Sequence, residues 1–264
     1  MRALILAVST FTAAVSAQAG LFNDCDQSAS RNVSSVASGI SRVVIIGRAG
    51  YLHIEGHSGA SEIRAEGTAC APDSSSLRDT KLVLTRNGSE LRIEAQMPDH
   101  DFGGWFSSSP SLDFTVALPA GVAIDVKDSS GELTIRNVGD ANVDDSSGGI
   151  EIRGVRGNLT LRDSSGDIEI EDVTGDVRIP QDGSGGIDIT HVGGSVTIDD
   201  DGSGSIDIRD VKHNVRIGSD GSGSIDVVGV GGDFTVGSKG SGSVSYDRVA
   251  GRVDVPSRHR NWDR

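Results

Sequence analysis

A carboxylate recurs at one position of a repeated motif and is the feature of this sequence best suited to binding chemistry. The motif begins with Asp, continues with Ser and Gly and ends on an apolar residue; its aspartates are Asp128, Asp145, Asp163, Asp182, Asp201 and Asp220. Because Ca²⁺ is bound by several oxygen ligands, Asp182, Asp201 and Asp220 are candidate calcium ligands. In the alternative interpretation, each carboxylate accepts the backbone N–H two residues further on, in an Asx turn that shapes a corner of the chain.

A second column of acids recurs shortly after the first. Its members each lie between two apolar residues: Glu151, Glu169, Asp188, Asp207 and Asp226. Alternation of this kind places the acids on the outward face of a strand. A charged outer face keeps a sheet soluble and unpaired, and the same face could bind a cationic partner.

The remaining reactive residue types do not assemble into a catalytic pattern. His191 aligns with Asp210 of the next repeat and His213 aligns with Gly194, so the two histidines do not stack into a ligand pair. The Gly-Ser runs contain no nucleophile elbow, and the corners are too short for a catalytic groove. We therefore expect no enzyme and no cofactor, with a glycan-active β-helix enzyme as the alternative. Trp105 and Phe106, in a Gly/Ser-rich loop, are either a binding contact or aromatics that fold onto the core.

These residues are positioned by seven repeats, which begin at Asp128 and end with a Lys239 unit. The spacing of the starts is 17 from Asp128 to Asp145, 18 from Asp145 to Asp163 and a constant 19 thereafter. Within a unit, apolar residues alternate with polar ones, as in Ile206-Asp207-Ile208 and Val215-Arg216-Ile217. This period of two is typical of strands with one buried face. The unit is therefore strand, turn, strand and corner.

One unit buries too few aliphatic side chains to offset the entropy of ordering about 19 residues, so the units must stack. Constant spacing favours an all-β fold, a parallel β-helix (solenoid) of about 19 residues per coil, right-handed. An antiparallel sandwich is the alternative. We expect irregular β coils and a cap over residues 20–127, seven coils over 128–255 and a polar tail over 256–264. A boundary between two domains at 110–121 is the other possibility.

Composition and the N-terminus indicate the compartment. The chain has 264 residues, a net charge of −14 and only 4% aromatic residues; this charge argues against nucleic acid as a partner. Residues 1–19 have the pattern of a signal peptide with an Ala-Gln-Ala cleavage site, and no other segment is apolar enough to span a membrane. We expect an exported protein, periplasmic or at the cell surface, with a Cys25–Cys70 disulfide. A metal pair or a reactive thiol is the alternative for the cysteines.

Together, the signal peptide, the segment Leu118-Pro119-Ala120-Gly121-Val122 and the serial Ser-Gly-x-Ile-x-Ile units resemble a bacterial β-strand-repeat family labelled as candidate adhesins. The resemblance implies a parallel β-helix, and the family has no agreed catalytic residues to carry over. The expected function is an adhesin or envelope scaffold that presents a rigid acidic surface to a cell-surface carbohydrate or protein. A Ca²⁺-stabilised repeat protein is the alternative.

Overall fold

The computed structural model describes residues 25–98 and 109–256, which form two eleven-stranded sheets and one short helix. Sheet A contains, in spatial order, β1 (Gln27–Val36), β4 (Glu62–Ala71), β7 (Ser111–Pro119), β3 (Leu52–His57), β9 (Leu133–Arg136), β11 (Ile150–Val155), β13 (Ile168–Val173), β15 (Ile187–Val192), β17 (Ile206–Val211), β19 (Ile225–Val230) and β21 (Val244–Val249). The predicted signal peptide, 1–19, and nearly all of the predicted polar tail lie outside the described residues.

Sheet B forms the other wall of the solenoid. Its order is β22 (Val253–Asp254), β20 (Phe234–Ser241), β18 (Val215–Ser222), β16 (Val196–Asp201), β14 (Val177–Gln181), β12 (Leu159–Arg162), β10 (Ala141–Asp144), β8 (Ala123–Lys127), β2 (Arg42–Ile46), β6 (Glu90–Gln96) and β5 (Lys81–Asn87). The helix α1 (Ser74–Asp79) is capped by Asp73, whose carboxylate accepts the N–H groups of Ser75 and Ser76. No helix in the described residues is long and apolar enough to cross a membrane.

Successive coils pair in parallel and in register, so each repeat position stacks on its equivalent. Ile168 pairs with Ile187, which in turn pairs with Ile206. The alternating residues that point inward, such as Ile189 and Ile198, are fully buried. The predicted parallel β-helix is confirmed, and the antiparallel sandwich is wrong for the repeat region.

The N-terminal strands have a less regular order. In sheet A, β3 lies between β7 and β9, and in sheet B, β2 lies between β6 and β8, all in parallel. Beyond them, β1, β4 and β7 pair antiparallel, as do β5 and β6. The predicted disulfide between Cys25 and Cys70 is confirmed, with a Cα–Cα distance of 5.6 Å. It joins the chain just before β1 to the C-terminal part of β4.

A turn near the end of each of the seven sheet A strands from β9 to β21 uses a left-handed backbone conformation. The residues that adopt it stack in one column, with φ between 52 and 77°: Asn137, Gly154, Asp172, His191, Asp210, Gly229 and Arg248. Gly tolerates this conformation best, and Asn, Asp and His adopt it more often than other residue types. The turn therefore places polar side chains from successive coils directly above one another.

In the repeat region, the turn between each sheet A strand and the next sheet B strand is stabilised by side-chain hydrogen bonds between successive coils. Asp140 Oδ1 accepts the Asn158 N–H at 2.8 Å, and Asn158 Oδ1 accepts the Asp176 N–H at 2.9 Å. The series continues through the N–H groups of Ser195, Asn214, Asp233 and Arg252. These bonds satisfy backbone groups that have no strand partner at the turn, which makes the coil stack rigid.

Candidate functional site

The corner aspartates form a buried ladder inside the solenoid. Its six members are each 5% exposed or less: Asp128, Asp145, Asp163, Asp182, Asp201 and Asp220. In register, Asp201 pairs with Asp182 on one side and Asp220 on the other. The ladder ends at Lys239, which pairs with Asp220 and donates its Nζ–H to the Gly242 carbonyl at 2.5 Å.

None of the twelve carboxylate oxygens in this ladder has a hydrogen-bond partner among the described residues. The Asx-turn bonds of the alternative interpretation do not reach hydrogen-bond geometry, although the N–H groups of Ser147 and Ser165, two residues beyond Asp145 and Asp163, lie close enough to oppose part of the rise in their pKa values. At the far end of the ladder, Gly47 leaves room for the first carboxyl, because a Cβ there would lie 3.0 Å from Asp128 Cγ.

Burial changes the protonation of the ladder. It raises the pKa of Asp128 to about 7, that of Asp145 to about 6 and that of Asp201 to about 8. The pKa values of Asp163 and Asp182 are raised for the same reason. At Asp201 the adjacent carboxyls of Asp182 and Asp220 add to the effect of burial. Burial therefore favours the protonated form of these side chains, and a protonated carboxyl can donate to the next one in the ladder, as Asp201 is placed to do with Asp182 and Asp220.

A groove of about 480 Å³ runs along the outer face of sheet A, across successive coils of the repeat region. One wall is the outward acid column, here Glu151, Glu169, Asp188 and Asp207; the other is the row that follows the corner glycine, here Glu132, Gly149, Asp167, Gly186 and Ser205. Ile150, Ile168 and Ile187 lie between the two rows. Six of the twelve lining residues are acidic and none is basic.

Small residues open this groove. A Cβ placed on Gly149 would meet no atom within 4 Å, so the groove is open to solvent at that coil. At Gly186, the next glycine in this row, the N–H donates to Asp167 Oδ1 at 2.8 Å, which holds the carboxylate at the edge of the groove. Large side chains at these positions would fill the space between the acid rows.

Arginines outside the groove neutralise only one of its two walls. Arg136 donates to Glu151 at 2.7 Å, and Arg209 donates to Asp207 at 3.1 Å. In the corner row, by contrast, Glu132 and Asp167 make no ion pair with any residue of the described ranges 25–98 and 109–256. The groove therefore keeps an excess of negative charge on its corner side.

The structure assigns the sequence candidates to different places. The outward acid column lines the groove up to Asp207, whereas the calcium candidates Asp182, Asp201 and Asp220 lie inside the solenoid and line neither this groove nor a smaller one on sheet B. Trp105 and Phe106 lie outside the described residues.

Two features of this surface were not identified from the sequence. The corner row, with Glu132 and Asp167, varies between Glu, Gly, Asp and Ser along the repeats, so only its regular spacing could have indicated it. His191 lies against carboxylates of neighbouring coils, with its Nδ1 3.5 Å from Asp172 and its Nε2 3.8 Å from Asp210. The sequence does align His191 with Asp210 of the next repeat. A search for two stacked histidines misses this pair, because only one of its members is a histidine.

Three solved structures resemble this chain at low identity. A candidate lipid-binding protein from Parabacteroides distasonis ATCC 8503 is 17% identical, with 86% of this chain and 97% of that chain covered and a TM-score of 0.47. A candidate adhesin (BF0245) from Bacteroides fragilis NCTC 9343 is 13% identical, with 88% and 98% covered and a TM-score of 0.38. A candidate adhesin from Parabacteroides distasonis ATCC 8503 is 13% identical, with 87% and 97% covered and a TM-score of 0.37. Likenesses at this level carry no argument about ligands.

Among curated proteins, none matches this chain in sequence. A family model does match: that of Toastrack DUF4097, over residues 51–258. The match begins in the N-terminal coils, just before β3, and includes all the stacked repeats, so it covers most of the chain. This protein belongs to the Toastrack DUF4097 family.

Proposed function

We propose that this protein is an exported, non-enzymatic solenoid that binds a basic protein segment in the acidic groove of sheet A. The observation that carries the proposal is the groove lining, which combines six carboxylates with no basic residue. Complementary charge is the most direct way for such a surface to select a partner. Within each row, the solenoid holds the residues of successive coils about 4.8 Å apart. The protein therefore loses little conformational entropy when a ligand binds.

Two further observations support an exported binding module. A disulfide such as Cys25–Cys70 persists mainly in oxidising compartments outside the cytoplasm. The groove itself contains carboxylates and Ser205 but no histidine, lysine or cysteine, so its lining offers no imidazole base and no thiol or amine nucleophile. A rigid binding surface agrees better with this lining than acid–base catalysis does.

The groove proposal predicts salt-dependent binding of a basic peptide. We expect a fluorescent octalysine peptide to bind in 50 mM salt and to be released as the salt is raised, because screening weakens exposed charge pairs. The double variant Glu132→Gln/Asp167→Asn removes the two acids that lack an ion pair and should weaken binding about tenfold. Fluorescence anisotropy measures both effects.

The matched control is Glu62→Gln/Glu66→Gln, which removes the same charge from β4, where both acids contact Arg64. This control should bind the peptide within about twofold of the wild type. Equal weakening in both double variants would show that only net charge matters and would refute the groove as the site. Binding of neutral oligosaccharides, unaffected by Glu132→Gln/Asp167→Asn, would also contradict the proposal.

A calcium-stabilised scaffold is the second candidate function, and the unpartnered carboxylates of the ladder favour it. Calcium bound between Asp182, Asp201 and Asp220 would offset the repulsion between carboxylates about 4.8 Å apart. A cation that binds only the folded state stabilises that state. In this candidate, the role of the protein depends on an environment rich in Ca²⁺.

Thermal melting at pH 8 tests the calcium candidate. If the ladder binds Ca²⁺, 5 mM Ca²⁺ should raise the Tm by at least about 5 °C relative to excess EGTA, as expected for a gain of about 2 kcal/mol or more. The Asp201→Asn variant should lose most of this gain. An unchanged Tm would refute this candidate and leave the groove proposal intact, since that proposal requires no cation.

A further inference from the structure

We propose that Glu171, Asp172 and His191 form a surface site for a divalent transition metal of the Zn²⁺ class, with Asp210 as the positioning residue of His191. This site is separate from the groove and does not depend on the proposed function. It is built from three successive coils: Glu171 and Asp172 in β13, His191 in β15 and Asp210 in β17. One ligand atom from each of Glu171, Asp172 and His191 lies within 4.8 Å of the other two.

The distances between these atoms are close to those around a bound zinc ion. His191 Nδ1 is 3.5 Å from Asp172 Oδ1 and 3.9 Å from Glu171 Oε1. In a tetrahedral site with bonds of about 2.0–2.2 Å, ligand atoms lie roughly 3.3–3.6 Å apart. The Asp172–His191 pair already has this separation, and the Glu171 carboxylate would have to move inward to complete the coordination.

The second ring nitrogen of His191 has the environment expected of a metal ligand. Nε2 lies 3.8 Å from Asp210 Oδ2, just beyond hydrogen-bond distance, whereas Nδ1 is the nitrogen nearest to Glu171 and Asp172. Histidines that bind metal through one nitrogen usually donate the other N–H to a carboxylate, which sets the tautomer and the ring orientation. A small rotation of either side chain would let Asp210 accept a hydrogen bond from Nε2–H, which leaves the Nδ1 lone pair for the ion.

The coil stack holds these residues in register. Asp172, His191 and Asp210 all have left-handed backbone conformations, with φ of 59, 57 and 56°. On their C-terminal side, Val173, Val192 and Val211 pair in register and are buried. The ligands therefore cannot move apart along the solenoid without breaking the strand ladder.

Charge and exposure favour a cation that enters from solvent. The three ligands, two carboxylates and a neutral imidazole, supply a charge of −2; the Arg153 guanidinium beside Glu171 offsets part of it, and the Asp210 carboxylate beside His191 restores it. Arg153 Nε contacts Glu171 at Oε2, at 3.4 Å, and leaves Oε1 directed toward His191. The side chains of Asp172 and His191 are more than half exposed, so water can occupy the remaining coordination positions. An imidazole with carboxylates suits zinc, cobalt and nickel better than calcium.

A second cluster containing histidine provides an internal control. His53 and His57 lie on β3, with their Nε2 atoms 3.5 and 3.9 Å from the same Glu55 oxygen. They approach Glu55 without forming a group of three ligand atoms within 4.8 Å of one another, whereas Glu171, Asp172 and His191 do so. His57 is exposed and His53 is half-buried, so the His57 ring is open to solvent as the His191 ring is. If a histidine beside an acid were sufficient, this cluster would bind metal as well.

Isothermal titration of the untagged protein with ZnCl₂ tests the site. We expect one saturable, high-affinity Zn²⁺ per chain, bound at Glu171, Asp172 and His191; this is the tighter site if weaker binding is also observed. His191→Asn should weaken that site at least tenfold and still fold, because Asn137 occupies the equivalent left-handed position in an earlier coil. Asp210→Asn should weaken it about tenfold, and in the wild type the ¹⁵N shifts of the His191 ring should show Nδ1 as the nitrogen that binds zinc.

The controls are His213→Asn, in the adjacent turn, and the double variant His53→Asn/His57→Asn. Both should retain the tighter site with unchanged affinity and with circular dichroism equal to that of the wild type. The proposal is overturned if His191→Asn titrates like the wild type, if the tighter site disappears in the His53→Asn/His57→Asn variant, or if the wild type shows no saturable Zn²⁺ binding. Loss of binding in Asp210→Asn with an unchanged His191 tautomer would remove Asp210 from its positioning role.

Discussion

Replacing Gly148 with Ala is expected to destabilise the protein by more than about 4 kcal/mol, whereas the same change at the adjacent Gly149 should have almost no effect. Gly148 has φ of +129°, a conformation that side chains rarely adopt. A Cβ at this position would lie 2.7 Å from the Gly131 carbonyl carbon in the preceding coil and closer still to its oxygen. That oxygen belongs to backbone and cannot rotate away as a side chain would.

The size of this effect follows from the rigidity of the stack. The Gly148 N–H donates to the Ser165 carbonyl of the next coil at 3.1 Å, so the corner is fixed on both sides. Relief of the clash would require two coils to separate, which would disrupt the aliphatic packing beneath them. Losses above about 4 kcal/mol are expected only where overpacking or backbone strain of this kind occurs.

Gly149 is the matched control because it is the next residue and its Cβ would meet nothing within 4 Å. Gly149→Ala should leave stability unchanged or raise it by up to about 1 kcal/mol through a less flexible unfolded chain. Urea denaturation followed by circular dichroism measures both variants. A Gly148→Ala protein within about 1 kcal/mol of the wild type would show that the corners can open, contrary to the rigid-stack interpretation.

The second large effect is a loss of stability as the pH rises from 5 to 8 in buffer containing EDTA. The pKa values of Asp128, Asp145 and Asp201 are raised to about 7, 6 and 8 in the folded state, whereas an unfolded Asp has a pKa of about 3.9. The folded protein therefore holds protons that the unfolded chain releases in this range. Stability must fall as the pH rises through these folded-state pKa values.

Each pKa unit of such a shift corresponds to about 1.4 kcal/mol, so the three groups together account for several kcal/mol between pH 5 and pH 8. At about 2–4 °C per kcal/mol for a chain of this size, the Tm should fall by at least about 10 °C. Differential scanning calorimetry at intervals of half a pH unit measures the slope.

The Asp201→Asn variant removes one titrating group while it keeps the shape of the side chain, and it should flatten the upper part of this pH dependence. Its matched control is Asp200→Asn, because Asp200 is the adjacent residue and is exposed, whereas Asp201 is buried. The control should keep the wild-type slope. A Tm that is constant or rises between pH 5 and pH 8 would contradict the buried, partly protonated ladder.

Much of the repeat region could be predicted from the sequence because local and long-range signals agree there. Ile206, Ile208, Val215 and Ile217 alternate with polar residues, and equivalent apolar positions recur in the repeats before and after them. Alternation defines the buried face of each strand, and constant spacing defines the register between coils. The outward position of Glu151 and its equivalents followed from the same pattern.

The N-terminal order could not be predicted in this way. There, β3 pairs with both β7 and β9, although β4, α1, β5 and β6 all lie between β3 and β7 in the chain. The segment around Leu52 and Ile54 repeats the apolar alternation of the later coils, but the regular spacing is interrupted between β3 and β9, and short apolar runs can pair in many registers with similar energies. The choice between them depends on the packing of the whole cap.

The candidate sites show the same difference between residues that the sequence places and residues that it does not. For a residue within a strand, alternation settles from the sequence alone whether the side chain points inward, which is why the acid column was identified. At a corner, the alternation stops. The direction of Asp201 and the distance between His191 and Asp210 therefore depend on the backbone dihedral angles of the turn and on the coils above and below.

By itself, the sequence determined the strands, the corners, the coil length and the acidic outer face, because each follows from a period that can be read along the chain. Only the tertiary structure decided that the corner aspartates are buried without hydrogen-bond partners, that small corner residues open a groove beside the acid column, and that His191 lies against carboxylates of neighbouring coils. The physical reason is that these features depend on distances between coils, where side chains a full repeat apart in sequence are brought within a few ångströms of one another.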